Sequence, residues 1–421
     1  MNKKMIAEIQ QEMQDTLQGK IIPFWLERGV DGKYGGYLTS FDRDGKFDGN
    51  DAKYIVTQSR MLWGFSQLSL FAKPSQKEEM RQAAAQGLQF MIDHFWDEKC
   101  GGFYWQVNRD GTVADPSKLT YGEGFAIYAL SEFALRYPCE EALRYAEKTF
   151  ELLQLHAADT KYGGYYENME ADWSVSLGGI WAGDRKSLDI HMHLMEAFTT
   201  LYEATGKEIH RRKLEESIGL ILNHMVNQEI GYGYNQFDLQ FRQIPAINIM
   251  RTWNAERETN KIIPQPTDTT SYGHNVELSW LMDHAYQILG GQDSDHPVLR
   301  KLLDHSLLYG YDNQYGGVYR DGIADQMVLV TDKEWWQNFE SLAGYLNGYT
   351  KYGDDRYGEA FVKTWKFVKT KFMNMEVGES RQLLDRCGTP IVENMGNPWK
   401  GIYHTGRALA ECLKRFEILQ Q

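Results

Sequence analysis

The chain has 421 residues and a formal net charge of −13 at pH 7, which repels nucleic-acid backbones and anionic membrane surfaces and favours a neutral ligand. Hydrophobic residues make up 42% and charged residues 24%, as in soluble globular proteins, and no apolar run approaches the roughly 18 residues of a membrane span. These values argue against nucleic-acid and membrane partners.

The first segment, MNKKMIAEIQQEMQDTLQ, has charged and apolar residues at helical spacing. It lacks the apolar core and small-residue cleavage site of a secretory signal. The four cysteines, Cys100, Cys139, Cys387 and Cys412, show neither CxxC nor CxH spacing, so neither a disulfide framework nor a zinc site is indicated. We therefore expect a cytoplasmic protein with free thiols.

A glycine–aromatic signature recurs along the chain, in KYGGYLTSFDRDG, KCGGFYWQVNRDG, KYGGYYENMEADW, EIGYGYNQFDLQF and QYGGVYRDG, with a weaker sixth copy in VGESRQLLDRCG. The marker glycines, spaced 66, 62, 69, 84 and 61 residues apart, are Gly36, Gly102, Gly164, Gly233, Gly317 and Gly378. Aromatic and β-branched residues followed by Asp-Gly or Cys-Gly are typical of short hairpins. The chain is therefore predicted to contain six copies of one supersecondary unit.

Two apolar-periodic stretches lie between successive hairpins, for example SRMLWGFSQLSLFA followed by EEMRQAAAQGLQFMIDHFW. Six helix pairs closed into a ring form an all-α (α/α)6 barrel of twelve helices with short β-hairpins at one end, here a single domain over residues 1–421. An open solenoid is the alternative. Polar and aromatic residues on the inner-helix candidates favour the closed ring, because they would line a cavity.

The fourth repeat is longer than its neighbours by about 15 to 20 residues. The surplus lies in 242–272, where Pro245, Pro264 and Pro266 rule out one continuous helix. This segment is either a surface insertion or a rim loop that covers bound substrate as a lid.

Three histidines stand near the start of inner-helix candidates in different repeats: His193, His274 and His404. Two of them begin an H-x-x-E pattern, His193 with Glu196 and His274 with Glu277, and a three-residue step places both side chains on one helical face. A carboxylate partner fixes which ring nitrogen carries the proton, as a general acid or base requires. The pattern predicts a shared catalytic site.

The same residues, with His191, could instead be counted as metal ligands. On a helix His191 and His193 are about 200° apart and cannot chelate one ion, and no H-E-x-x-H is present. The sequence also has no glycine-rich phosphate loop. We expect a site with neither a metal nor a cofactor.

Two further functions are compatible with this fold. A glycoside hydrolase needs two carboxylates flanking the scissile bond, and Glu123, Asp189 and Glu340 are candidates for the cavity, although no two of them can be placed at hydrolase separation. A non-catalytic sugar-binding or scaffold protein is the other alternative. The 12 Trp and 25 Tyr residues favour a sugar ligand, because flat rings stack on pyranose faces.

Six segments resemble the N-acylglucosamine 2-epimerase and cellobiose 2-epimerase family: SRMLWGFS, KLTYGEGFAIYALSEF, HMHLMEAFTTLYE, SYGHNVELSWLM, EWWQNFESLAGYLNGY and WKGIYHTGRALAE. The resemblance spans nearly the whole chain. It implies an (α/α)6 barrel and a cofactor-independent isomerase that inverts C2 of an aldose.

The resemblance also implies residue roles. His274 and His404 would be the acid/base pair, and His193 would assist at the sugar's oxygens and in ring opening. Arg60 would hold hydroxyls or the enediolate, and Glu277 would orient His274. The other implied substrate-binding residues are Tyr121, Asp189, Glu196, Trp399 and either or both of Trp335 and Trp336, with the tryptophans as stacking surfaces. Asp189 stands where the family often has asparagine.

Inverting C2 beside an aldehyde needs proton removal from one face of a cis-enediolate and return to the other, without a redox cofactor. Returning the proton to C1 gives a ketose, so aldose–ketose isomerisation is an alternative. A lid at 242–272 favours D-mannose and D-glucose, whereas Trp399 favours the reducing unit of cellobiose or mannobiose. The sugar is the expected partner of a monomer or homodimer.

Overall fold

Twelve helices form an inner and an outer ring within residues 1–176, 185–245, 267–291, 295–324 and 327–420, which this computed structural model describes. The inner helices are α3 (Ile55–Gln67), α5 (Thr120–Arg136), α7 (Leu188–Thr205), α9 (Tyr272–Ile288), α11 (Trp335–Tyr352) and α13 (Ile402–Gln420). The outer helices are α1 (Lys3–Thr16), α4 (Pro74–Phe90), α6 (Glu140–Leu152), α8 (Glu208–Leu220), α10 (Pro297–His305) and α12 (Asp355–Phe367). A π turn joins α1 to its continuation α2 (Ile22–Arg28), and the two count as one helix of the ring.

The inner ring is closed. Each inner helix packs against the next one along the chain, and α13 packs against α3. Helix α1 packs on α13, and each later outer helix packs on the inner helix before it. The predicted (α/α)6 barrel is confirmed, and the open solenoid is excluded.

Burial differs between the two rings because the inner helices are covered on all sides. Every residue of α3 is buried, whereas the buried residues of α4, among them Met80, Ala84 and Leu88, form a single stripe. A one-sided apolar stripe is the pattern of a helix with a solvent face. The polar residues of the inner helices must therefore find partners inside the barrel.

Short antiparallel strands precede the inner helices and connect neighbouring repeats. Five pairs link one repeat to the next: Lys53–Tyr54 with Gln106–Val107, Lys118–Leu119 with Asn168–Met169, Arg185–Ser187 with Gln236–Asp238, Thr269–Ser271 with Asp321–Ile323, and Lys333–Glu334 with Leu383–Leu384. A third strand extends three of these pairs: Val113–Asp115 pairs with Gln106–Val107, Met327–Val330 with Asp321–Ile323, and Pro390–Val392 with Leu383–Leu384. Two local hairpins pair Val226–Asn227 with Tyr232–Gly233 and Met373–Asn374 with Glu379–Ser380. A bridge between Phe41 and Gly396 links the last repeat to the first. The strands thus lie at the amino ends of the inner helices.

The hairpin glycines mark six repeats, with one correction. Positive φ values between 62° and 108° occur at Gly36, Gly102, Gly164, Gly317 and Gly378, where a side chain would be strained. Gly233 is not among the residues with positive φ, and Gly231, at φ 95°, holds that conformation in the fourth repeat. By their hydrogen bonds Gly231 is the counterpart of Gly35 and Gly233 that of Tyr37, so the marker chosen from the sequence was one residue too late there.

A buried lysine two residues before an inner helix ties the hairpin to the barrel. The pairs are Lys53 with Asp31 (3.1 Å), Lys118 with Asp97 (3.0 Å), Lys186 with Asp159 (2.7 Å), Lys333 with Asp312 (3.2 Å) and Lys400 with Glu379 (3.3 Å). The fourth repeat has Thr270 and Asn227 at the two positions. Neither charge of the pair is present there, so no buried charge is left alone.

A side chain in the first turn of five inner helices accepts a backbone N–H from the adjacent hairpin. The acceptors are Gln58 for Tyr37, Glu123 for Phe103, His191 for Tyr165, Asn275 for Gly233 and Asn338 for Val318, at 2.8–3.1 Å. His191 is thus one member of a structural series. Its Nδ1 lies 2.8 Å from the Ser187 carbonyl oxygen, so both ring nitrogens face the hairpin end of the helix rather than a metal.

Most of the predicted rim loop or lid, 246–266, lies outside the described residues. Of the remainder of 242–272, residues Thr269–Ser271 form a strand and Tyr272 begins α9. All four cysteines are free thiols. Among the described residues, no helix combines the length and apolar character needed to cross a bilayer.

Candidate active site

The predicted site residues converge at one end of the barrel. Arg60, Tyr121, His193, His274 and His404 lie in the first two turns of α3, α5, α7, α9 and α13. Because an outer helix returns the chain between successive inner helices, the inner helices run in the same direction. Their amino ends therefore meet at the end of the barrel that carries the short strands. Ser187 and Ser271 cap α7 and α9 by accepting the N–H of Ile190 and His274.

His193 makes the contact predicted from its H-x-x-E pattern. Its Nδ1 lies 2.8 Å from Oε2 of Glu196, and its ring packs against Phe125 at 4.9 Å and Tyr121 at 5.7 Å between centroids. Burial alone would raise the pKa of Glu196, but the charge of Arg407 and the bond to His193 lower it to about 2. Nδ1 of His193 therefore faces an ionised carboxylate and carries a proton.

The predicted Glu277–His274 pair is wrong. Glu277 is fully buried and makes an ion pair with Arg407, while the His274 ring packs on Trp336, with centroids 4.5 Å apart. The three-residue step does place both residues on one face of α9. The glutamate, however, lies one turn deeper, where the guanidinium holds its carboxylate.

His404 is oriented by a carboxylate from another helix. Its Nδ1 lies 2.7 Å from Oε1 of Glu340, which the sequence marked only as a possible cavity residue. Burial, together with the positive charges of Arg60 and Arg407, lowers the pKa of His404 well below its ordinary value. At neutral pH this imidazole is unprotonated at one nitrogen and suited to act as a base.

Arg407 connects the buried carboxylates of the site, and it was not among the site residues predicted from the sequence. It is 1% exposed, and its guanidinium contacts all three members of what we call the carboxylate cluster, Glu196, Glu277 and Glu340. It also donates to the Tyr403 hydroxyl. The available signal was its position three residues after His404, on the same face of α13.

Within the described part of the chain, one group of residues of the metal-binding types lies close together: Glu277, Glu340 and His404. The Nη2 atom of Arg407 lies 2.6 Å from Glu340 and also contacts Glu277. The guanidinium thus supplies the positive charge that these carboxylates need, which disfavours a cation at the same place.

Arg60 and Tyr121 form a second polar contact at the cavity wall. Arg60 donates from Nη1 to the Trp399 carbonyl oxygen at 2.8 Å and from Nη2 to the Tyr121 hydroxyl at 2.9 Å. Its Nε is buried without a hydrogen-bond partner among the described residues. Burial raises the pKa of Tyr121, so this hydroxyl remains neutral and adds no negative charge beside Arg60.

The predicted stacking tryptophans differ in their positions. Trp336 contacts both predicted acid/base imidazoles, at 4.5 Å from His274 and 5.8 Å from His404. Trp335 is 1% exposed, so its faces are covered by the protein. Trp399 is half-buried and stacks on Tyr54 at 6.4 Å with 25° between the ring planes.

Asp189 lies between two histidines. Its Oδ1 is 3.4 Å from Nε2 of His193 and 3.5 Å from Nε2 of His274. The hydrolase alternative gains no second carboxylate from Glu123, which accepts the Phe103 N–H and whose pKa burial raises to about 8. Glu340 is occupied by His404 and Arg407.

Comparison with known proteins identifies the family. The sequence profile of N-acylglucosamine 2-epimerase (GlcNAc 2-epimerase) matches residues 36–408. The chain is 28% identical to a cellobiose 2-epimerase of Bacteroides fragilis, over 96% of this chain and 98% of that protein, and 30% identical to one of Ruminococcus albus, over 98% and 99%. The structure of a cellobiose 2-epimerase from Spirochaeta thermophila superposes with a TM-score of 0.85 at 26% identity, covering 100% of this chain and 99% of that one. This chain belongs to the N-acylglucosamine 2-epimerase family.

Proposed function

We propose that this chain is a sugar 2-epimerase, of the isomerase class, that interconverts D-mannose and D-glucose. The observation that carries the proposal is that two imidazoles, His274 and His404, both pack on the Trp336 ring at the amino ends of two inner helices. Epimerisation needs two acid/base groups that reach one carbon from opposite faces. Family membership supports the same reaction class.

The proposed reaction begins at His404. As a neutral base it takes the C2 proton, the C–H electron pair forms the C1–C2 double bond, and negative charge develops on the carbonyl oxygen. Arg60 has an unpartnered buried Nε and would stabilise this charge. His274 then gives a proton to C2 from the other face, and each acid/base group contributes about 10² to 10⁴ in rate.

A disaccharide substrate is the second candidate. Cellobiose 2-epimerases are among the relatives of this chain, and Trp399 lies beside Arg60 at the cavity. In this chain Tyr54 stacks on one side of Trp399 and Trp105 packs at 5.8 Å. We give preference to the monosaccharide because these rings already cover part of the indole that a second sugar would need.

The test is product analysis with D-mannose, D-glucose and cellobiose, with His404→Asn as the control that should form no C2 epimer. We expect D-glucose from D-mannose as the main product, with little ketose. A higher kcat/KM for cellobiose would favour the disaccharide, and ketose as the main product would favour aldose–ketose isomerisation. Absence of a C2 epimer from all three sugars would refute the proposal. A cytoplasmic, monomeric or homodimeric enzyme stays a prediction from the sequence.

A further inference from the structure

One carboxylate oxygen faces two imidazoles in this site. Oδ1 of Asp189 lies at nearly equal distances from Nε2 of His193 and Nε2 of His274, 3.4 and 3.5 Å. The oxygen is buried, and none of the described residues gives it a hydrogen bond of acceptable geometry. A buried anionic oxygen without a donor is costly, so its surroundings need explanation.

The tautomer of His193 limits the possible proton positions. Nδ1 carries a proton because it faces the ionised Glu196 at 2.8 Å. In a neutral His193 ring Nε2 would then present a lone pair to the Asp189 oxygen, which is repulsive. A proton on this Nε2 turns the contact into an attraction between an imidazolium and two flanking carboxylates.

The opposite side of the cavity has the reverse electrostatics. His404 faces the cations Arg60 and Arg407, which with burial favour its neutral form. The titratable and charged groups around Asp189, His193 and His274 are Glu196 with Arg407, Asp321 with Arg320, Glu167 with Arg185, Tyr121 with Arg60, and His404. Burial raises the pKa of Glu167 to about 8 and also that of Asp321, which pairs with Arg320. The negative charge nearest the His193 ring therefore comes from Glu196 and Asp189, which contact its two nitrogens.

We propose that Asp189 is a positioning residue that holds one extra proton on the His193–His274 pair of the sugar-free site. Two neutral imidazoles carry two N–H groups, and this pair carries three. For the sugar whose C2 hydrogen faces His404, the pair therefore enters the reaction as the acid and His404 as the base, and in the reverse direction the two exchange these roles. This assignment rests on the proposed epimerase function. The proton given to C2 by His274 is balanced by the C2 proton that His404 takes.

The direct test is ¹H–¹⁵N NMR of ¹⁵N-histidine-labelled, sugar-free protein at pH 7, which distinguishes protonated from unprotonated ring nitrogens. We expect three protonated nitrogens on the pair in the natural chain and two in Asp189→Asn, which keeps the side-chain shape and removes the charge. Asp44→Asn, an exposed control with the same charge change, should leave three. Two in the natural chain, or three in Asp189→Asn, would overturn the inference.

Kinetics of D-mannose conversion give a second readout. Asp189→Asn should lower kcat at pH 7 by about tenfold or more, with KM within about threefold, and activity should recover as the pH is lowered, because solvent then supplies the missing proton. A residue that only binds a sugar hydroxyl would raise KM without recovery at low pH. An inactive protein would refute the proposed function. The NMR count of protonated nitrogens does not require turnover, so it would still test this inference.

Discussion

Oε1 of Glu340 lies 2.7 Å from Nδ1 of His404 and 2.6 Å from Nη2 of Arg407. One carboxylate oxygen therefore connects the predicted base to the arginine that neutralises the carboxylate cluster. Burial raises the pKa of Glu340, but Nε and Nη2 of Arg407 both face its Oε1, so this oxygen is an acceptor. His404 therefore donates from Nδ1, which leaves Nε2 free. Orientation of the base and stability of the barrel interior thus depend on the same few atoms.

Glu340→Gln should lower kcat by about 10²-fold or more with little change in KM, because the amide keeps the shape but no longer fixes the His404 tautomer. Steady-state kinetics with D-mannose measure this. Arg407 keeps Glu196 and Glu277 as partners, so the variant should fold. A kcat within threefold of the natural chain would show that Glu340 does not orient the base.

Arg407→Met should destabilise the protein by about 3–5 kcal/mol, because three buried carboxylates lose their common positive partner. Urea unfolding followed by circular dichroism measures the change. Arg81→Met is the matched control, since Arg81 pairs with Glu78 on the surface and should leave the unfolding midpoint unchanged. Equal midpoints for the two variants would contradict the role given to Arg407.

Stability should depend on pH through His191. Burial lowers its pKa to about 4, whereas the unfolded chain titrates near the ordinary value of about 6.5. The unfolded state thus binds the proton first, and stability is full above about pH 6.5 and is lost as pH falls towards 4, by about 3 kcal/mol. His191→Gln, which copies Gln58 of the first repeat, should remove this part of the pH dependence, and an unchanged profile would refute it.

The buried lysine pairs predict a non-additive effect. Lys186→Thr or Asp159→Asn alone should each cost about 3–5 kcal/mol, because one buried charge remains unpaired. The double variant copies Thr270 and Asn227 of the fourth repeat. Its loss in free energy of unfolding should be smaller than the sum of the losses in the two single variants. Free energies of unfolding for the four proteins decide it, and simple additivity would contradict the pairing.

The repeat pattern was sufficient to predict the barrel, because glycine hairpins and helical periodicity are local signals. The sequence also correctly paired His193 with Glu196, one helical turn apart on α7. Helical geometry also predicted correctly that the side chains of His191 and His193 point in different directions from α7. The weak sixth copy resembles the stronger ones, because Gly378 has a positive φ like four of the five other markers.

The partners of His404 and Glu277 could not be predicted in this way. Glu340 and His404 are 64 residues apart, and Arg407 and Glu277 are 130 apart. Such contacts depend on how the helices meet at the barrel axis, and no local periodicity encodes that. The H-x-x-E pattern at His274 was misleading because a nearby arginine competes for the carboxylate.

The most direct test of the central claim is C2 hydrogen exchange in D₂O, measured by NMR separately with D-mannose and D-glucose. The natural chain should place deuterium at C2 of both sugars. His274→Asn and His404→Asn should each stop epimerisation, and each should retain exchange with only one sugar, a different one for each variant. Epimerisation near the natural rate in either variant, or exchange of the same sugar by both, would contradict two imidazoles acting from opposite faces.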